Sequence, residues 1–125
     1  MSATAATLLQ RIENKTATIA VVGLGYVGLP LVRAIRDSGY PVIGFDVDQR
    51  KIDALNSGTR YILHLGDDFF STLKADANFT PTTDPKDLGK ADLVVLCVPT
   101  PLGLHHEPDL TYVMESTKTA AASLR

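Results

Sequence analysis

The sequence predicts an α/β domain built on a doubly wound parallel sheet of about four strands in the order 3-2-1-4. Three observations carry that prediction. Apolar, β-branched runs at 18–22, 42–45 and 93–98 alternate with stretches of helical periodicity. The first run passes directly into Gly23-Leu24-Gly25-Tyr26-Val27-Gly28, a glycine turn that opens a helix. The second run ends in an acidic residue, Asp46, 18 positions after Gly28.

Taken in order, residues 1–17 are rich in Ala and Thr and place Leu8, Leu9 and Ile12 at helical spacing. They predict a short docking helix, an N-terminal extension to a domain over 18–125. Thr18 to Val22 reads as a buried strand by length and β-branching. In the turn that follows, Gly23 permits the tight bend, Gly25 lets backbone approach a pyrophosphate, and Gly28 lets helix and strand pack closely. The next helix carries Leu29, Val32 and Ile35 on one side and Arg33, Arg36 and Asp37 on the other. Pro30 sits in its first turn, where a missing N–H costs little, and Gly39 follows its end. Gln49 to Asn56 forms a second helix with Ile52 and Leu55 as its apolar stripe and Gly58 beyond it. Residues 67–75 suggest a third.

Phe79 to Thr83 is a strand interrupted by Pro81, which assigns it to a sheet edge. Asp84 to Gly89 reads as a capped turn or short helix. Leu93 to Val98 is apolar at consecutive positions, as parallel strands covered on both faces are. Pro99-Thr100-Pro101 stops it, and Asp109 caps a last helix starting near Leu110 or Thr111. If the sheet ends at this fourth strand, Leu93 to Val98 is an apolar edge able to pair with another chain, so a homo-oligomer is expected.

Composition sets outer bounds. At 125 residues the chain is one domain, short for holding both a dinucleotide and a second substrate. Its 45% hydrophobic and 21% charged residues are ordinary for a globular protein, and a net charge of −2 gives no reason to expect a nucleic-acid partner. No apolar stretch is long enough to span a membrane. The single cysteine, Cys97, cannot form an internal disulfide, which suits the reducing cytoplasm expected as its location.

The glycine turn between strand and helix, with an acid at the second strand's end, is a dinucleotide-binding arrangement. The helix N-terminus presents N–H groups to phosphates, and Asp46 can accept both hydroxyls of an adenosine ribose. Asp46 favours NAD over NADP, since a carboxylate about 4 Å from a ribose phosphate costs ~4 kcal/mol at an effective dielectric of 20. Arg50 and Lys51 line the next helix start, where they can touch the ribose or pyrophosphate. The amides of Tyr26 and Val27 aim at the diphosphate while their side chains are expected to pack. Thr100, fixed between two prolines beyond a strand, can present an oxygen to the nicotinamide half of the cofactor. Cys97 lies in an apolar strand and reads as core rather than nucleophile. His64, His105, His106 and Glu107 are poorly spaced for a metal, so no metal site is expected. No catalytic set is present.

Gly23-Leu24-Gly25-Tyr26-Val27-Gly28-Leu29-Pro30, Gly44-Phe45-Asp46-Val47-Asp48 and Cys97-Val98-Pro99-Thr100-Pro101-Leu102 together resemble the NAD-binding Rossmann domain of the UDP-glucose/GDP-mannose dehydrogenases. The tail Glu107-Pro108-Asp109-Leu110-Thr111-Tyr112-Val113 is most similar to the branch acting on UDP-N-acetylhexosamines, such as UDP-N-acetylglucosamine 6-dehydrogenase. The resemblance implies oxidation of a nucleotide sugar's primary alcohol to a carboxylate in two hydride transfers to NAD, through a cysteine-bound intermediate. It puts the amides of Tyr26 and Val27 at the pyrophosphate, Asp46 and Lys51 at the adenosine ribose, and Thr100 near the nicotinamide ribose. It also implies that the nucleophilic cysteine and the substrate domain lie beyond Arg125, so the chain reads as truncated and, alone, inactive. Two other classes compete: a stand-alone dinucleotide-sensing module without chemistry, and a methyltransferase, which also surrounds adenosine with a glycine turn and an acid. Asp46→Ala is expected to weaken NAD binding and leave the fold intact.

Overall fold

The computed structural model describes residues 3–62, 65–98 and 110–123. Among them β1 (Ile19–Val22), β2 (Val42–Phe45), β3 (Phe79–Thr82) and β4 (Leu93–Leu96) form one parallel sheet in the order β3-β2-β1-β4. The predicted order is therefore the observed one. Ile19 lies opposite both Val42 and Leu93, and Val22 opposite both Phe45 and Leu96, so β1, β2 and β4 finish level at their carboxyl ends. Pro81 stands in β3 opposite Gly44, in an edge strand where its missing donor breaks no ladder.

Strand alternation sends side chains to both faces. Val21 and Val42 join Leu29 and Val32 of α2 (Gly28–Asp37), Ile52 and Leu55 of α3 (Gln49–Ser57), and Phe70 and Leu73 of α4 (Asp67–Ala75). Ala20, Val22, Ile43 and Phe45 face the other way, onto Leu88 of a 3₁₀ segment (Pro85–Lys90) and Ala120 of α5 (Thr111–Ser123). Phe70 is fully buried and meets Tyr61 and Phe69 edge-on. Burying a side chain of this kind contributes about 1.5–3 kcal/mol. The helices change face between β3 and β4, so the crossovers from β1 run in opposite directions. The crevice between the carboxyl ends of β1 and β4 is the switch point.

Helix boundaries follow local chemistry. Asp48 caps α3 by accepting the Arg50 N–H at 3.0 Å, and Asp84 does the same for Lys86 at the 3₁₀ segment. Arg33 and Arg36, placed by periodicity opposite the apolar stripe of α2, turn sideways instead. The Arg33 guanidinium lies over the Phe69 ring, 5.9 Å from its centroid, and Arg36 Nε donates to Asp76 Oδ2 at 2.7 Å. Their stems thus shield the seam between α2 and α4.

The Arg36 bond, with a second from the Asn78 N–H, holds the Asp76 carboxyl below the usual carboxylate range. A group depressed in the folded state adds stability above its unfolded pKa, and that stability is lost as the pH falls through the folded value. Asp76→Asn is expected to cost about 1 kcal/mol at neutral pH, with the gap to wild type closing as urea melts are moved below pH ~4. A gap constant down to acid would show that the charge contributes nothing.

Two expectations require correction. The first helix forms as α1 (Ala3–Glu13), but of its apolar stripe only Leu8 is half-buried, while Leu9 and Ile12 are exposed. Polar contacts at its C-terminal end fasten it: Arg11 to Asp92 at 2.6 Å, and the Tyr40 hydroxyl to the Ile12 carbonyl at 2.7 Å. Likewise Leu93 to Val98 is not a strand buried on both faces. β4 is an edge, with Leu93 half exposed and Val94 to Leu96 only partly covered, α5 packing on one side.

Candidate functional site

β1 ends in a stack of three backbones. Gly23 has φ +98°, a conformation that side-chain-bearing residues rarely adopt, and its N–H donates to the Phe45 carbonyl at 2.8 Å. A Cβ on Gly23 would lie 2.5 Å from the Cys97 carbonyl oxygen, and one on Gly28 would run into the Gly23 carbonyl oxygen itself. The start of α2 is thereby pressed onto the end of β1, and the end of β1 onto the chain leaving β4. Gly25 differs. A Cβ there would meet nothing within 4 Å, so its missing side chain leaves an open cradle.

Asp46, at the end of β2, is 8% exposed. Its Oδ2 accepts the Leu24 N–H at 2.9 Å and lies 3.5 Å from Lys51 Nζ, while its Oδ1 accepts the Asp48 N–H at 2.9 Å. The carboxylate therefore ties the glycine turn to the start of α3. A carboxylate offers about four acceptor positions, these three partners leave one in reserve, and Asp46 lines a cleft at this end of the sheet. Arg50 is fully committed to Asp48, whose carboxyl it holds below the usual range, and it projects into solvent. Lys51, not Arg50, is the cation beside Asp46.

These residues border two adjoining clefts beyond the carboxyl ends of the strands. One, of about 430 Å³, is lined by Gly23, Gly25, Tyr26, Val27, Asp46, Lys51 and Cys97 among others. Its neighbour, of about 390 Å³, shares Gly23, Asp46, Lys51 and Val98 and extends to Val47, Glu115, Ser116 and Thr119. Gly28 stands behind the first cleft as packing. Tyr26 and Val27 do not pack as expected: they are 70% and 69% exposed, on the rim. The turn they occupy is held by backbone bonds at either end, from Gly23 to Phe45 and from Leu29 to Gly25. Among the described residues no side chain caps α2 at Val27, so the helix N-terminus has no side-chain acceptor in front of it.

Thr100 lies outside the described residues, as do His64, His105, His106 and Glu107. Burial pushes the Cys97 thiol up, which disfavours the thiolate that nucleophilic attack requires. Tyr61, between α3 and α4, escaped the sequence reading: its hydroxyl donates to the Leu24 carbonyl at 2.6 Å. No periodicity or motif marks it. Ser116 and Thr119 also went unpredicted, for they join the cleft only because α5 folds back over the sheet.

The open cradle at Gly25, an uncapped helix N-terminus and a carboxylate with spare acceptor capacity suit a group bearing a diphosphate and a ribose. Comparison with known proteins agrees. Residues 17–125 match the family described as "UDP-glucose/GDP-mannose dehydrogenase family, NAD binding domain". UDP-N-acetyl-D-mannosamine dehydrogenase of Escherichia coli K12 is 37% identical over 112 residues, covering 87% of this chain and 26% of that protein. The chain thus spans about a quarter of the length of the curated relatives it matches. Among solved structures, an NDP-N-acetyl-D-galactosaminuronic acid dehydrogenase from Methanosarcina mazei aligns over the whole chain and 28% of its own length, with TM-score 0.83 and 25% identity. A ternary complex of GDP-mannose dehydrogenase from Pseudomonas aeruginosa aligns over 84% of this chain and 24% of its own, with TM-score 0.78 and 30% identity. The chain belongs to the UDP-glucose/GDP-mannose dehydrogenase family, and residues 17–125 match its NAD-binding domain.

Proposed function

We propose that the chain is the cofactor-holding part of a dehydrogenase that oxidises a UDP-N-acetylhexosamine at its primary alcohol. The observation that carries this reading is the convergence of Gly25, the α2 N-terminus and Asp46 on one cleft at the switch point of the sheet. The names of the similar proteins, with UDP-N-acetyl-D-mannosamine dehydrogenases prominent, favour an N-acetylhexosamine over glucose or GDP-mannose and leave no specific support for N-acetylglucosamine.

In this reading the amides of Tyr26 and Val27 hold the pyrophosphate, and the Gly23-x-Gly25-x-x-Gly28 backbone lets it approach. Asp46 accepts from the adenosine ribose hydroxyls and Lys51 balances its charge. Thr100 stands near the nicotinamide ribose. NAD held by these residues would supply the hydride acceptor for oxidation of the sugar alcohol. In this reading the chain's own contribution is binding and orientation, and burial disfavours the thiolate of Cys97, which packs against the Gly23 turn. The chain alone is expected to be inactive.

Calorimetric titration of NAD, NADP and S-adenosylmethionine tests the reading. NAD is expected to bind at least tenfold more tightly than the other two, because a 2′-phosphate would face Asp46. Adding a UDP-N-acetylhexosamine is expected to produce no NADH absorbance. Preference for NADP or S-adenosylmethionine would defeat the cofactor assignment, and NADH formation would defeat the assignment of the chemistry to residues outside this chain.

A further inference from the structure

Leu24 is the unnamed position of Gly23-x-Gly25, yet both its backbone polar groups are held by side chains from elsewhere in the fold. Its N–H donates to Asp46 Oδ2 at 2.9 Å, and its carbonyl accepts the Tyr61 hydroxyl at 2.6 Å. The Leu24 carbonyl and the Gly25 N–H belong to one planar peptide unit, and in the trans form they point in opposite directions. Anchoring the carbonyl on Tyr61 therefore aims the Gly25 N–H away from Tyr61. Gly25 lines the cleft and Tyr61 does not. We infer that Tyr61 is a positioning residue for the cofactor: its hydroxyl sets the Leu24–Gly25 peptide so that the Gly25 N–H faces the dinucleotide's pyrophosphate.

Three further features fit this role. The Tyr61 ring is locked edge-on against Phe70, with centroids 5.2 Å apart, and Phe70 is fully buried, so the hydroxyl is presented from a rigid base. Burial, with the Asp46 and Asp48 carboxylates nearby, pushes the phenol well above its ordinary value, which favours the protonated, donating form. Leu24 itself is fully buried, so its side chain fixes the residue while the hydroxyl fixes only the peptide's rotation.

The inference rests on the dinucleotide reading of the cleft, and the experiment separates the two. Tyr61→Phe keeps the ring and its packing and removes only the oxygen. NAD and adenosine are titrated into both proteins, with binding read by calorimetry and by backbone amide shifts. Tyr61→Phe is expected to bind NAD about five- to tenfold more weakly, the worth of one hydrogen bond, with adenosine affinity within twofold of wild type. Without ligand, the Gly25 amide resonance is expected to move while that of Gly39, remote from the turn, stays in place. Unchanged NAD affinity, or an equal loss for adenosine, would overturn the positioning role and leave the cleft reading intact. A wild-type chain that binds no NAD would overturn both.

Discussion

Gly28→Ala is expected to destabilise the protein by about 3 kcal/mol or more, and Gly25→Ala to leave it stable and unable to hold NAD. The two glycines sit three residues apart in one turn, and their surroundings differ as the separate roles read from the motif require. A Cβ added at Gly28 would occupy the place of the Gly23 carbonyl oxygen, with Cys97 Cβ 3.3 Å away on the other side. Both obstacles belong to or adjoin backbone, so no rotamer change relieves them. Either α2 must lift off the sheet, exposing Leu29 and Val32, or β1 must move against β4. Overpacking of this kind costs about 3 kcal/mol or more, a large share of a total near 5–15 kcal/mol. At Gly25 the added methyl meets open space and φ lies outside the left-handed region, so the stability change is expected to stay within about 0.5 kcal/mol. The methyl would instead occupy the cradle, and NAD affinity is expected to fall more than tenfold. Urea melts and NAD titrations of both variants check the pair. A stable Gly28→Ala would show that helix and strand are not in backbone contact, and a Gly25→Ala that still binds NAD would put the pyrophosphate elsewhere.

The sequence made those positions legible because turn chemistry is local: strand, glycine spacing and helix start lie within ten residues. The same locality located α2, α3, α4 and the edge strand at Pro81, each marked by periodicity, a cap or a breaker. Non-local facts were hidden. Tyr61 is 37 residues from the carbonyl it anchors, and Arg36 is 40 from Asp76. An apolar run such as Leu93 to Val98 reports what a strand could bury, whereas its place in the sheet order decides what covers it. In α1, Leu9 and Ile12 have the spacing of a docking stripe, but the helix is oriented by Arg11 on Asp92 and by the Tyr40 hydroxyl on the Ile12 carbonyl. The clearest case is Asp46, which the motif presents as a ligand group alone. In the fold it is also the clasp between two turns.

That second role changes what Asp46→Ala should do. With the carboxylate gone, the Leu24 and Asp48 N–H groups lose their acceptor, and the Leu24 group is buried. Each such loss costs about 1–3 kcal/mol, so the variant is expected to be less stable than wild type by about 2–4 kcal/mol without any ligand. Asp46→Asn should fall between, since its carbonyl can satisfy one donor while its amide faces the other. Binding and folding losses can be separated by linkage. NAD at a hundred times its Kd should stabilise wild type by about 2.7 kcal/mol against urea. At that same concentration Asp46→Ala is expected to gain less than about 1 kcal/mol, because the hydroxyl acceptor and the rigid turn are lost together. An unchanged melt without NAD would show that the clasp contributes no net stability. A full gain with NAD would remove Asp46 from the ribose and leave it a structural residue.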